Sequence, residues 1–197
     1  SGRVNNFAAY AGLPSAWYQV QGNSYAQSVC DRGHKCPSGD RTSSRNTNLS
    51  TFLMTNMSPQ APQNNQKPSA DFEVYLREQV KKGYEVYIIM GVYGVGGSGL
   101  KGRIASTIDN GRVTVPSNIW KVALILPEGD NDFHRAQNSE VDIIAINTPN
   151  TNVVAADWRR YLVSVREIEN ATGYNLLSAL PIKVQDKLEI RKAAIFK

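Results

Sequence analysis

Apolar and polar positions alternate with two periods along this chain. Between residues 71 and 82, Phe72, Tyr75, Leu76 and Val80 recur at helical spacing. Asp71 or Ser69 stands ready to cap the start and Gly83 to end it, which predicts an amphipathic helix. Glu73 and Arg77 lie four apart and so stack on one face beside the apolar stripe. Strand patterns are predicted at 17–20, in a β-rich run at 51–57, and at 84–90, 112–115, 118–126, 141–147 and 158–165. The last of these runs into Ser164-x-x-Glu167, a capping-box signature for a helix closed by Ala171-Thr172-Gly173; 181–192 reads as a final amphipathic helix. Residues 43–50, 58–68 (with Pro59, Pro62 and Pro68) and 127–140 read as polar loops. Strands with a few interspersed helices point to an α+β domain with a mainly antiparallel sheet flanked by helices.

One glycine-rich stretch tempts another reading. Gly94-Val95-Gly96-Gly97-Ser98-Gly99 follows a strand and fits G-x-G-x-x-G. A dinucleotide site needs a long helix directly behind the glycines, whereas Gly102 and Gly111 interrupt here and strand patterns follow. The segment is predicted to be a hairpin-type connection.

Composition narrows the class. The 197 residues suit one domain, 1–197, with a substantial core. Apolar content of 41% and charged content of 20% are those of a globular protein, and no run of eighteen apolar residues suggests a membrane span. The start, Ser1 to Asn6, has no apolar signal core, so any secretion signal has been removed or never existed. A net charge of +5 suits a polyanionic partner. Cys30 and Cys36 could close a disulfide, but on one strand their side chains stand too far apart, and two free thiols are expected. Two Cys and the distant His34 and His134 form no zinc pattern.

The chemistry concentrates in Cys30-Asp31-Arg32-Gly33-His34-Lys35-Cys36-Pro37-Ser38-Gly39-Asp40-Arg41-Thr42. His34 can change charge near neutrality, and Arg32 keeps a planar fork of donors that suits phosphate. Gly33 between them permits a backbone turn that most residues would resist. An imidazole and a guanidinium so placed could serve one phosphodiester; a charged surface turn with a bystander histidine uses the same residues. His134, with nothing at motif spacing, reads as solvated surface.

The longer pattern Asp31-Arg32-Gly33-His34-x-x-Pro37-Ser38-x-Asp40-Arg41-Thr42 is more specific. It is followed by Thr51-Phe52-Leu53-Met54-Thr55-Asn56-Met57-Ser58-Pro59-Gln60, by Asn64-Asn65, and by Glu73 and Arg77. Together these resemble the DNA/RNA non-specific endonucleases, secreted sugar-non-specific nucleases related to endonuclease G. The likeness extends weakly through Val115-Pro116, Trp120-Lys121, 141–147 and Ala171 to Tyr174, and so covers most of the chain. It implies a ββα-metal active-site motif and a Mg²⁺-dependent endonuclease acting on single- and double-stranded DNA and RNA, with Mn²⁺ or another divalent cation as a substitute. By the same resemblance His34 is the general base and Asn65 the direct metal ligand, with Asn64 the fallback if the register slips by one. Glu73 holds metal-bound water; Arg32 and Arg77 bind phosphate, with Lys35 and Arg41 as further substrate contacts; Asp31 braces the motif. No membrane partner is implied, and a protein inhibitor is left open. The chain departs from the family in its shorter N-terminal part, where relatives carry further strands, and in Gln66 to Ala70, near which many relatives have a tryptophan. A non-catalytic nucleic-acid-binding protein on the same fold is the alternative.

Overall fold

The computed structural model describes residues 6–137 and 141–194. Residues 1–5, the end of the predicted 127–140 loop at 138–140, and 195–197 lie outside the described residues. Along the chain run β1 (Asp31–His34), α1 (Arg45–Ser50), β2 (Met57–Gln60), α2 (Pro62–Asn64), α3 (Ala70–Lys81), β3 (Tyr84–Tyr93), β4 (Gly97–Ser98) and β5 (Ile104–Ala105). There follow β6 (Thr107–Ile108), β7 (Val113–Thr114), β8 (Asn118–Pro127), α4 (Asp132–Arg135), β9 (Asp142–Pro149), β10 (Leu162–Val163), α5 (Val165–Thr172) and α6 (Ile182–Glu189). The fold is mixed α and β with antiparallel pairings, as the patterning predicts.

The chain forms two compact units. The first comprises Ser1–Asn65, Gly94–Ser117 and Pro149–Val154; the second comprises Gln66–Tyr93, Asn118–Thr148 and Ala155–Lys197. In the first, β1 pairs with β2, β4 with β5 and β6 with β7, all antiparallel. Tyr25, Met54, Met57, Ile108 and Val115 make its core, with Phe7, Val20 and Cys30 packed against them. The glycine-rich stretch is part of a hairpin between β4 and β5, as predicted.

In the second unit the sheet order is β10-β9-β8-β3. Side-chain alternation divides β8 and β9 between two cores. Trp120, Val122, Leu126, Val141, Ile143 and Ala145 pack with Val165 and Ile168 of α5 and Leu188 of α6. Ala123, Ile125, Ile144 and Ile146 pack with Phe72 and Leu76 of α3 and with Trp158. Helices therefore cover both faces of an antiparallel sheet. Gly83, at φ +87°, ends α3 in a conformation that other residues resist. Ser164 and Glu167 form the predicted capping box of α5, and Gly173 closes it in the left-handed region.

Several local expectations are corrected. Residues 17–20 form no strand: Trp17 closes a turn from Pro14, and 18–20 run on without a partner strand among the described residues. Residues 43–50 hold α1, because Ser44 and Thr47 make a reciprocal capping box. The strand predicted at 51–57 begins only at Met57, after a 3₁₀ turn at Met54–Asn56. The predicted loop 58–68 is strand and helix. Pro62 occupies the first helical turn, where its missing N–H costs nothing, and Pro68 sits in a π-helical turn, Asn65–Ser69, whose wider spacing accommodates a residue without a donor. Since that turn leads directly into α3, neither Ser69 nor Asp71 caps it. The predicted strand at 158–165 opens as a 3₁₀ turn, Trp158–Tyr161, started by Asp157, whose carboxylate accepts from the Arg159 amide at 3.1 Å. The 127–140 loop contains the short helix α4, with His134 exposed on it.

Candidate active site

The motif strand β1 lies opposite β2 with Asp31 facing Gln60, Arg32 facing Pro59, Gly33 facing Ser58 and His34 facing Met57. Alternation sends Asp31 and Gly33 to one face and Arg32 and His34 to the other. Gly33 lies within the strand and not in a turn; glycine there answers a close approach, since a Cβ would lie 2.1 Å from Gln60 Oε1 and 2.8 Å from its Cβ. Gln60 in turn donates from Nε2 to Asn64 Oδ1 at 2.7 Å, and Asn64 Nδ2 donates to the Pro149 carbonyl at 2.7 Å. Asn64 is fully buried and spent on this network. Asn150, equally buried, accepts the Ala61 amide at 2.7 Å and donates to the carbonyls of Pro59 (3.1 Å) and Pro116 (2.8 Å). These amides fix the start of α2 on β2. Asn65, half-buried at its end, donates from Nδ2 to Asp31 Oδ2 at 3.0 Å. That bond sets the amide's orientation and leaves its oxygen as the atom for another ligand.

On the other face the His34 ring meets Phe52 edge-on, with centroids 5.0 Å apart, and Phe7 at 6.0 Å. Its Nε2 is shielded from solvent. The Arg32 guanidinium lies 4.5 Å over the Phe7 ring, and Nη2 donates to the Gly22 carbonyl at 2.7 Å. Lys35 directs Nζ to the Met57 carbonyl at 3.3 Å, and burial pushes its pKa down to about 8. Asn56 holds the chain beyond His34: its Oδ1 accepts from the Cys36 amide and its Nδ2 donates to the carbonyls of Cys36 and Thr51, each at 2.9 Å. Asn48 does the same for the Ser38–Asp40 turn, donating to the carbonyls of Ser38 and Arg41. Arg41 itself is exposed, with Nη1 donating to Asp40 O. Cys30 and Cys36 are not joined in a disulfide, as expected, and burial, then the Asp31 charge, pushes Cys30 up to about 11.

Glu73 and Arg77 belong to the second unit, both half-buried on α3. Glu73 pairs with Lys121 of β8, whose Nζ lies 2.5 Å from Oε1 and whose side chain is 3% exposed.

The structure thus brings Asp31 to Asn65, and Arg32 and His34 to one shared aromatic neighbour, Phe7. Phe7 and Asn150 escaped the sequence reading, and Asn56, Gln60 and Lys121 entered it only as parts of the family pattern, with no role assigned. A buried amide or a lone lysine in an apolar strand has no periodicity to betray it. The donor set fits a hard divalent cation, which takes oxygen ligands and keeps much of its water. Asn65 offers one amide oxygen, and among the described residues no group of three His, Cys, Asp or Glu side chains forms a cage.

Residues 1–183 match the sequence profile of the DNA/RNA non-specific endonucleases. The chain belongs to that family. A nuclease of Nostoc sp. is 40% identical over 187 residues, covering 95% of this chain and 65% of that protein. Nuclease C1 of Cunninghamella echinulata is 31% identical over 80% of this chain and 61% of its own length, and human mitochondrial endonuclease G is 25% identical over 80% and 52%. The endonuclease-family chain described here therefore spans about half to two thirds of the length of these relatives. A solved chain from the EndoG/EndoGI complex, described as showing the mechanism of EndoG inhibition, superposes with a TM-score of 0.69 at 22% identity. It covers 90% of this chain and 71% of that one, a likeness of fold.

Proposed function

We propose that this protein is a divalent-metal-dependent endonuclease that hydrolyses DNA and RNA with little regard for sequence or sugar. The observation that carries the reading is the motif strand with Asn65 tied to Asp31 at 3.0 Å on one face and His34 on the other. Among the described residues β1 is paired on one edge only. A phosphodiester lying along its open edge would meet side chains from both faces. The succession of β1, β2 and the helix beginning at Pro62 follows the order of a ββα-metal motif.

In this reading His34 takes the proton from the attacking water as general base. Asn65 would hold the cation through its amide oxygen, while Asp31 keeps that oxygen turned outward. The cation, Mg²⁺ or Mn²⁺, would neutralise charge on the phosphate and the leaving oxygen. By the family resemblance Glu73 would orient water and Arg77 would supply charge to phosphate; the exposed Arg41 would do the same, and phosphate carries no sequence information.

Digestion of plasmid DNA and of RNA with Mg²⁺, with and without EDTA, tests the reading. Cleavage of both that EDTA abolishes is expected, with a loss of about 10²–10⁴-fold in His34→Ala. A gel shift without nicking, or wild-type turnover in folded His34→Ala, would overturn it.

A further inference from the structure

We propose that Arg32 serves His34 rather than the substrate: it clamps Phe7 onto the imidazole, and Arg32, Phe7 and Phe52 are positioning residues for the base. The proposal rests on the reading of His34 as general base.

Three rings close a triangle. Phe7 and His34 are 6.0 Å apart at 60°, His34 and Phe52 5.0 Å at 87°, and Phe7 and Phe52 5.3 Å at 75°. All are tilted or edge-on arrangements that aromatic quadrupoles favour. The torsion that turns an imidazole about its own axis is broad in isolation, so the two phenyl rings select its plane. Phe52 is fully buried and cannot yield. Phe7 is half-buried and needs a restraint, and it has two. Its neighbour Ala8 donates its amide to Phe52 O at 3.3 Å and accepts the Met54 amide at 2.8 Å. On the ring itself sits the Arg32 guanidinium, 4.5 Å from the centroid, a cation–π contact.

The remaining surfaces of Arg32 are committed within the same unit. Nη2 donates to the Gly22 carbonyl at 2.7 Å, the guanidinium lies 5.9 Å from the Tyr25 ring, and Nε is buried with no hydrogen-bond partner among the described residues. Bidentate recognition of phosphate needs an open fork, and here two of its three nitrogens, Nη2 and Nε, are bonded or buried. A planar guanidinium stacks where a lysine ammonium would not.

The test compares His34→Ala, Arg32→Met, Phe7→Leu, Phe7→Tyr and the Arg32→Met/Phe7→Leu double variant on plasmid DNA at fixed Mg²⁺. Arg32→Met and Phe7→Leu are each expected to lower kcat by about ten- to a hundred-fold, the scale of an ångström misplacement, with KM unchanged. The double variant should lose no more than either single one, and Phe7→Tyr, which keeps the ring, should restore turnover. The slope of log affinity against log salt should be the same for Arg32→Met as for the parent. A phosphate contact would instead reduce it by about one, and that result, multiplicative losses, or parental kcat in Phe7→Leu would overturn the proposal. Should Phe7→Leu fail to fold by circular dichroism, the salt slope of Arg32→Met decides. Parental turnover in His34→Ala would sink the general-base reading instead. A dead His34→Ala beside unaffected Phe7→Leu would sink the clamp alone.

Discussion

Lys121 and Glu73 allow a sharp test of how α3 is held on β8. Their charged atoms lie 2.5 Å apart, with side chains 3% and 18% exposed. Unit charges about 4 Å apart attract by about 4 kcal/mol at an effective dielectric of about 20. Stripping water from the two ions costs several kcal/mol each, so the intact pair adds little net stability. Removing one end is another matter. Lys121→Met leaves a carboxylate that water still reaches, so its cost should fall at the low end of the range for a broken buried pair, about 3 kcal/mol. Glu73→Gln strands the more deeply buried ammonium and should cost about 4–5 kcal/mol. The double variant removes both charges and should return to within about 1 kcal/mol of the parent, a coupling far above that of independent sites. Urea unfolding followed by the fluorescence of Trp120 and Trp158, both buried in the same unit, reads these differences as midpoint shifts at constant m-value. Losses that simply add in the double variant would refute the reasoning.

Asn64→Ala should cost about 2–3 kcal/mol by removing two buried hydrogen bonds, from Gln60 Nε2 and to the Pro149 carbonyl, measured by denaturation. Asn65→Ala should stay folded and lose about 10–100-fold of cleavage at limiting Mg²⁺, partly recovered by excess metal. Gly33→Ala should destabilise by about 2–3 kcal/mol, since its Cβ would displace Gln60; parental stability in urea would contradict the close approach. Glu189, 2% exposed, has its pKa raised above the ordinary 4.5 by burial first and by the neighbouring Glu169 charge second, against the opposing Arg166, with Asp186 also facing it. The folded state therefore keeps a proton that the unfolded chain releases, so this stability is full below about pH 4.5 and lost as pH rises through the raised folded value. Glu189→Gln should flatten that limb of the stability–pH curve, and an unchanged slope would speak against a retained proton.

What could be read from the chain alone was whatever depends on short-range pattern. The spacing of Phe72 and Leu76 set α3, Ser164 and Glu167 capped α5, and Gly83 and Gly173 ended their helices, because period, capping and left-handed backbone are local properties. The motif around His34 was equally legible, since it is contiguous. The helix at 62–69 and the capped turn of α1 were misread because prolines and polar residues suit loops and first helical turns alike; only the surroundings choose. Tertiary structure alone decided what the motif side chains touch. Asn64 rather than Asn65 was spent on Gln60 and Pro149, Lys121 found Glu73 from forty-eight residues away, and Phe7 reached His34 through a backbone bridge to Phe52. Such contacts join residues far apart in sequence, and the pairing of one buried polar or aromatic group with another leaves no periodic trace in either segment.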